Sequence, residues 1–527
     1  MSTPTSIINV CSGVLLNNDY KHTIWFDSAA AQQAYFAGKV VKTFPAYTYI
    51  RNSWSIKVDT TMEQARTWSY LYFRNGNGKT YYYFINNIEY INDNTVELFI
   101  EMDVMQTYLH EYTLHPCFVE REHSATDSVG ENTIDEGLEI GELIINQKSN
   151  IDMQELCVLV LSTFDPIQTT EDVTATVLSA SYNGIFSGLG IYAVAPSDFK
   201  AWGTKLSQLD TWGKSDGIVN MWMYPKALIE LADGETWDNG KVTKVVARTK
   251  TLTEFVNRNN VLDGYSPRNK KLYTYPFNFL YVSNNSGGAG AYHYEKFTDP
   301  TNCQFRLSGA LSPEASVKLY PIGYQNVPIN YDEGLISGNY PTCAWNQDVY
   351  KLWLAQNQNQ QGLSLMTAGV TIVGGVATAV ATGGAGAAVG LSSAAHGLTQ
   401  IADTLAQRAD KAVQPSQAKG SHSSSVNIVA EHQTYTFMKK SVDRYHAEII
   451  DDFFDVYGYK TNLVKVPNRK VRSTWTYTKT IGCHVSGNIC TEDIRKIQSI
   501  YDEGVTFWVD GDNIGSYQLS NPTLSIL

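Results

Sequence analysis

Tyr81-Tyr-Tyr-Phe-Ile-Asn-Asn-Ile-Glu-Tyr-Ile-Asn-Asp-Asn-Thr-Val-Glu-Leu-Phe-Ile-Glu-Met-Asp-Val104 sets the fold class of this chain. Its second half alternates, with Val96, Leu98, Ile100, Met102 and Val104 on one face and Glu97, Glu101 and Asp103 on the other. That period of two belongs to a strand with one buried face. The aromatic run before it, with Asn92-Asp93-Asn94 between, completes a β-hairpin. Composition extends the reading to the whole chain: 33 Tyr, 12% aromatic and only 17% charged residues favour pleated, half-buried surface. A mainly β protein with peripheral helices is expected, and 527 residues suffice for about three domains or one elaborated architecture.

A second feature breaks the pattern. Residues 352–402 contain no Asp, Glu, Lys or Arg, and their middle, 363–391, is built of Gly, Ala, Val and Thr. As a helix it is long enough to reach across a hydrocarbon core of ~30 Å. A buried glycine-rich helix is poorly specified, because each Gly costs ~1 kcal/mol relative to Ala. A resident anchor lacks a flanking Lys/Arg cluster or aromatic belt, and flexible linkers are normally polar. The remaining reading is a conditional membrane binder. Leu363, Leu365, Met366, Val370, Ile372, Val373, Val376, Val380, Val389 and Leu391 would contact lipid, while Gly369, Gly374, Gly375, Gly383, Gly384, Gly386 and Gly390 would give close packing and flexibility.

The rest of the chain divides by texture. The first ~150 residues read as strands and turns, with a short helix at 60–70. Residues 151–269 mix strands and loops, with hairpin signals at Asp233-Gly234 and Asn239-Gly240, and read as an inserted domain. Strands return over 271–324. A polar helix at 345–360 and another at 399–413 flank the charge-free run, followed by a Pro/Ser/Gly linker at 415–425 and a strand at 426–438. Residues 443–457 place Tyr445, Ile449, Ile450, Phe453 and Phe454 on one helical face and stop at Gly458. Thr491 is expected to cap a last helix, with Ile494, Ile497 and Tyr501 along its stripe and Gly504 beyond.

Candidate chemistry fails on spacing. Gly78-Lys79-Thr80 lacks the earlier phosphate-loop glycine, and His110 and His115 are one residue too far apart for a zinc-protease helix. Asp510-Gly-Asp512-Asn-Ile514-Gly515 puts Ile514 where a calcium loop needs an oxygen ligand. No enzyme, cofactor or metal site is expected. A net charge of -12 argues against binding nucleic acid by neutralising phosphate. The seven cysteines are odd in number and form no C-x-x-C; Cys483 and Cys490 could pair across a turn, but reduced structural thiols suit the pattern better. Residues 1–10 lack a basic, apolar leader, so synthesis in a cytoplasm is expected.

Several stretches carry a resemblance. They are Asn18-Asp19-Tyr20-Lys21, Trp25-Phe26, Asp103-Val-Met-Gln106-Thr107, Arg121-Glu122-His123, Asn132-Thr-Ile-Asp135-Glu136-Gly137-Leu138, Phe453-Phe454, Tyr457-Gly458-Tyr459-Lys460, Pro467-Asn468 and Asp512-Asn513-Ile514-Gly515. In their order, and with the apolar excursion between them, the chain resembles the tail-knob, or distal tail-tube, proteins of small short-tailed, protein-primed bacteriophages that infect Gram-positive bacteria. The resemblance implies a ring-shaped homohexamer with two β-barrel-like tube modules per subunit, 1–150 and 270–350. Residues 151–269 would be the distal knob domain, 351–427 the membrane-active loop and 428–527 the C-terminal part of the tube. It also implies a virion tail tip that meets other tail proteins at its proximal end. Six loops would plug the lumen, then emerge at the host membrane to form a pore for DNA. The competing reading is a host-surface adhesin, with wall carbohydrate bound around Trp202, Trp212, Trp222 and Tyr224 of the inserted domain.

Overall fold

The computed structural model describes residues 6–47, 54–74, 78–166, 181–336, 342–343 and 435–524, apart from 152, 154, 183–184, 187–188, 215–216, 238–241, 286 and 313–315. The charge-free run, both helices expected to flank it, the 415–425 linker and Asn239-Gly240 lie outside the described residues. The chain divides into two compact units: Met1–Gly141, Gly264–Leu272 and Arg444–Leu527 form the first, Glu142–Asp263 and Tyr273–Asp443 the second.

In the first unit, six antiparallel strands follow the order Val40–Tyr47, Ser6–Ser12, Trp68–Arg74, Thr80–Asn92, Thr95–Met102, Ser55–Asp59. The hairpin read from sequence is there: Asn92 faces Thr95 across a two-residue turn, and Val96, Leu98 and Ile100 are buried. It ends sooner than alternation suggested. Asp103 leaves the strand to cap a helical turn, Val104–Thr107, accepting from the Gln106 amide, so Val104 is buried as a helical residue. The sheet curls until its edges nearly meet, with Lys42 Nζ donating to the Asp59 carbonyl at 2.8 Å. Inside the curl sit Ile8, Val10, Ile56, Val58, Leu71 and Phe73.

The expected helix at 60–70 is one turn, Met62–Ala65; Trp68 and Ser69 already belong to a strand, where β propensity and pairing with neighbours outweigh the helical spacing. A second core lies between that sheet's other face and a five-stranded sheet ordered His22–Ile24, Val505–Trp508, Trp475–Ile481, Cys117–Glu122, Tyr459–Lys465. The last helix spans Thr491–Glu503 and buries Ile497, Ile500 and Tyr501. Its cap position is Cys490, with no side-chain bond, so Thr491 does not cap it.

The helix Arg444–Tyr457 corrects the expected face. Its buried line is Ala447, Ile450, Asp451 and Phe454, while Tyr445 and Ile449 are exposed and Phe453 is half-buried. The rotation follows from Asp451, whose carboxylate is drawn inward by donors described below. The helix does end at Gly458, at φ +64°.

In the second unit, an antiparallel sheet runs Ile229–Leu231, Val242–Thr249, Gly190–Val194, Leu156–Ser162, Ile218–Pro225, Thr342–Cys343. Leu143–Asn150, Thr436–Val442, Asn278–Ser283 and Ala289–Tyr292 form a four-stranded sheet. Residues 270–273 are a 3-10 turn, so the expected strand there begins only at Asn278. A third sheet, Leu252–Asn257, Asn302–Gly309, Val317–Tyr324, Val327–Ile329, with Leu335–Ile336 beside Val317–Tyr324, shares the unit's core. The protein is mainly β with few helices, and no helix among the described residues is long and apolar enough to cross a membrane.

Candidate functional site

The lipid-contacting and glycine residues of 363–391 lie outside the described residues. What the structure does bring together is the set of short stretches that carried the resemblance. Several of them, among them Tyr20, Asp103, Gln106, Arg121, Glu136 and Tyr459, contribute to two buried polar clusters in the first unit.

The first centres on Asp103. Its carboxylate accepts from the Tyr70 hydroxyl (2.8 Å) and the Gln106 amide (3.1 Å). Burial pushes its pKa up to about 6. Tyr20 donates to the Met102 carbonyl and accepts from the Val104 amide. The Gln106 side chain donates to Thr23 and to the Ile24 carbonyl, and accepts from Gln32 at 2.9 Å. Asp103 and Tyr20 thereby answer backbone groups left open where strand becomes helix, at Met102, Val104 and Gln106.

The second is larger. Glu136, with no side-chain exposure, pairs with both Arg121 and Lys271, themselves 13% and 2% exposed, and accepts from the Lys460 amide at 3.0 Å. Beside it Asp451, also without exposure, accepts from the Tyr265 hydroxyl (2.7 Å), the Arg268 amide (2.7 Å) and the Asn269 amide and side chain (3.0 and 2.8 Å). Asp127 accepts from Tyr459 at 2.7 Å and from the Lys270 amide, and burial raises its pKa. Asp455 accepts from the Asn269 side-chain Nδ2 at 2.6 Å and pairs with Arg268 at 2.8 Å.

His123 occupies the same region as a neutral ring. Nε2 donates to the Asp455 carbonyl and Nδ1 accepts from the Tyr477 amide at 2.8 Å. Burial, with Arg472 nearby, lowers its pKa to about 3. Gly458 brings the chain close enough that a Cβ there would lie 2.2 Å from the Glu122 carbonyl oxygen.

These clusters match donors with acceptors and leave no nucleophile beside a free base. Their chemistry is that of a clamp: Asp451 and Glu136 tie the segment Gly264–Leu272 to the helix and to the loop after Glu122. Sequence reading quoted Arg121, Glu136 and Tyr459 but missed Tyr265, Arg268, Asn269, Lys271 and Asp451. The available signal was Asp451-Asp452, two charges interrupting an apolar helix.

The remaining candidates are accounted for one by one. Lys79 pairs with Glu111 at 2.8 Å, as in a turn rather than a phosphate loop. His115 bonds Ser486 at 2.7 Å and packs on His484. Asp510 caps a 3-10 turn by accepting from the Asp512 amide, and Asp512 pairs with Lys39 at 2.6 Å. Among the described residues no His/Cys/Asp/Glu group is arranged to hold a metal. Cys483 contacts Cys117 rather than Cys490; both are buried free thiols, and burial pushes Cys483 up to about 12. The aromatic residues of the adhesin reading face the wrong way: Trp202, Trp222 and Tyr224 are in the core and Trp212 packs against it. Their apolar area stabilises the unit instead.

Comparison with known proteins places this architecture. A model described as the C-terminal domain of tail knob protein gp9 of Bacillus phage phi29 matches residues 241–522, and one described as the Caudoviral major tail protein N-terminus matches 4–113. The chain is 26% identical to the tail knob protein gp9 of Bacillus phage B103 and 24% identical to that of Bacillus phage phi29, in each case over 98% of both chains. The structure of the bacteriophage C1 tail knob protein, gp12, is similar with a TM-score of 0.67 at 14% identity, covering 98% of this chain and 100% of that one, a likeness of fold. With a family model spanning more than half its length, the chain belongs to the tail knob family of Bacillus phage phi29 gp9, the structural proteins of phage tails.

Proposed function

We propose that this tail knob protein forms a homohexameric conduit for DNA at the tail tip, in association with other tail proteins, and that residues 363–391 plug it and then enter the host membrane. The observation that carries the reading is the charge-free run, 352–402, within a chain of net charge -12. An apolar segment of that length on a tail protein needs cover before use, and a closed ring lets copies cover one another. Host lipid would then favour the extended state because it binds that state alone. An acidic lumen would keep DNA phosphates from adhering. In this reading 1–150 and 270–350 are tube modules completed by 428–527, 151–269 is the distal knob domain and 351–427 the membrane-active loop.

The test is dye leakage from liposomes, at neutral and acidic pH, with the intact protein and with residues 361–400 replaced by a short Gly/Ser linker. Leakage from the intact protein alone is expected; equal leakage from both would sink the membrane role. Electron micrographs of the assembled protein test the ring separately, by six-fold symmetry and a central channel.

A further inference from the structure

The third sheet of the second unit is unusual on its open face. Its other face is core, through Val256, Cys303, Phe305, Leu307 and Leu319. The register puts Thr253, Arg306 and Tyr320 in one outward row and Phe255, Gln304 and Ile322 in the next. An open antiparallel face is ordinarily polar. Here Phe255 is 55% exposed, and Tyr331 is 64% exposed with its ring 4.9 Å from Tyr320 at 72°. Tyr320 is seated on Gly334, where a Cβ would come within 2.6 Å of the ring. The absence of a side chain at 334 therefore leaves the room in which the Tyr320 ring lies close to the backbone, with Tyr331 edge-on to it.

Charge on this face runs against the chain's net -12. Arg306 reaches the Thr251 hydroxyl at 3.4 Å, Lys318 stands in the row beside Ser308 and Ile336, and neither forms an ion pair among the described residues. The strands place no carboxylate on this face; Asp332 and Glu333 belong to the loop that carries Tyr331. Adhesive aromatic rings, amide and hydroxyl groups, and two cations without an ion pair among the described residues suit a ligand of flat, hydroxylated rings bearing sparse negative charge. Nucleic acid fits less well, because its affinity depends on neutralising many closely spaced phosphates.

We propose that this face binds an anionic polysaccharide. Its sugar rings lie on Phe255, Tyr320 and Tyr331, Gln304 and Thr253 meet its hydroxyls, and its phosphate or carboxylate groups pair with Arg306 and Lys318. The proposal goes beyond the conduit reading and does not depend on the apolar run.

The experiment is calorimetric titration of the full-length protein with a soluble polysaccharide of phosphodiester-linked hexoses, with uncharged dextran and with an oligothymidine. Saturable binding of the phosphopolysaccharide alone is expected. R306Q/K318Q should weaken it by about tenfold and flatten its salt dependence. F255A/Y331A, both at exposed positions, should weaken it by about fivefold or more. Melting curves matching the wild type establish that these variants are folded. Absence of saturable binding, equal binding by both variant pairs, or tighter binding of oligothymidine would each overturn the proposal. Liposome leakage, read in parallel, reports on the conduit reading alone.

Discussion

Glu136→Gln removes one charge from the buried clamp while keeping its shape, and its cost can be worked from the structure. The carboxylate has no exposure, and it faces Lys271 at 2% and Arg121 at 13% exposure. Gln would leave both cations buried beside a neutral amide whose NH2 adds a fourth donor to Arg121, Lys271 and the Lys460 amide. Removing one partner of such a pair costs about 3–5 kcal/mol. For a unit of roughly 150–250 residues each kcal/mol lowers Tm by about 2–4 °C, so the first unit's transition should fall by about 6–20 °C. Differential scanning calorimetry reads the shift, and hydrogen exchange across 264–272 localises it. Lys271→Met in the same chain removes one stranded cation, so the double variant should be more stable than Glu136→Gln alone. A fall in Tm of under about 1 °C, or a double variant worse than the single, would refute the clamp as an energetic unit.

Other consequences are as direct. Because His123 is held neutral with a pKa near 3 against an ordinary 6.5, its contribution is complete above about pH 6.5 and lost as pH falls toward 3, at ~1.4 kcal/mol per pH unit. Asp103 acts in the opposite sense: its pKa of about 6 exceeds the ordinary 3.8, so the folded state gains stability as pH drops from 6 toward 4. Chemical denaturation against pH should therefore steepen between 6 and 4 in Asp103→Asn and flatten in His123→Gln. Gly458→Ala combines a φ of +64° with a Cβ contact at 2.2 Å to backbone, so a loss of about 3 kcal/mol or more is expected in urea unfolding. Trp222→Ala should cost about 3–5 kcal/mol by the same assay while leaving polysaccharide binding intact, since the ring is 1% exposed in the core.

The β class and the long hairpin were legible because period-two alternation is local: Val96, Leu98 and Ile100 need only their own strand to declare a buried face. Gly458 as a helix stop was legible for the same reason. The orientation of the Arg444–Tyr457 helix was not. Apolar spacing favours Tyr445 and Ile449 as inward residues, but Asp451 has donors waiting at Tyr265, Arg268 and Asn269, far away in sequence, and the helix turns to meet them. Sequence periodicity weighs hydrophobic area and cannot see hydrogen bonds supplied by a distant segment. Trp202 and Trp222 failed as surface candidates because aromatic residues serve cores and ligand platforms alike, and only the packing of helix Phe199–Thr211 and strand Ile218–Pro225 into the core separates the uses.

The register also shows why the first unit needs so polar a centre. Gly264–Leu272 contributes a 3-10 turn's first residues but no strand to the first unit, so sheet hydrogen bonds do not hold it. It is held by side chains instead, Asp451 and Asp455 from the helix, Glu136 and Asp127 from the loop. A short segment with little apolar area to bury gains order from charge-assisted bonds to its own backbone amides at 268, 269 and 270. Hydrophobic replacement, often neutral or stabilising for buried ion pairs, would satisfy none of those amides. The clamp is thus a solution to an accounting problem of backbone donors, and it follows that losing Asp451 should release 264–272 to exchange before the surrounding sheets open.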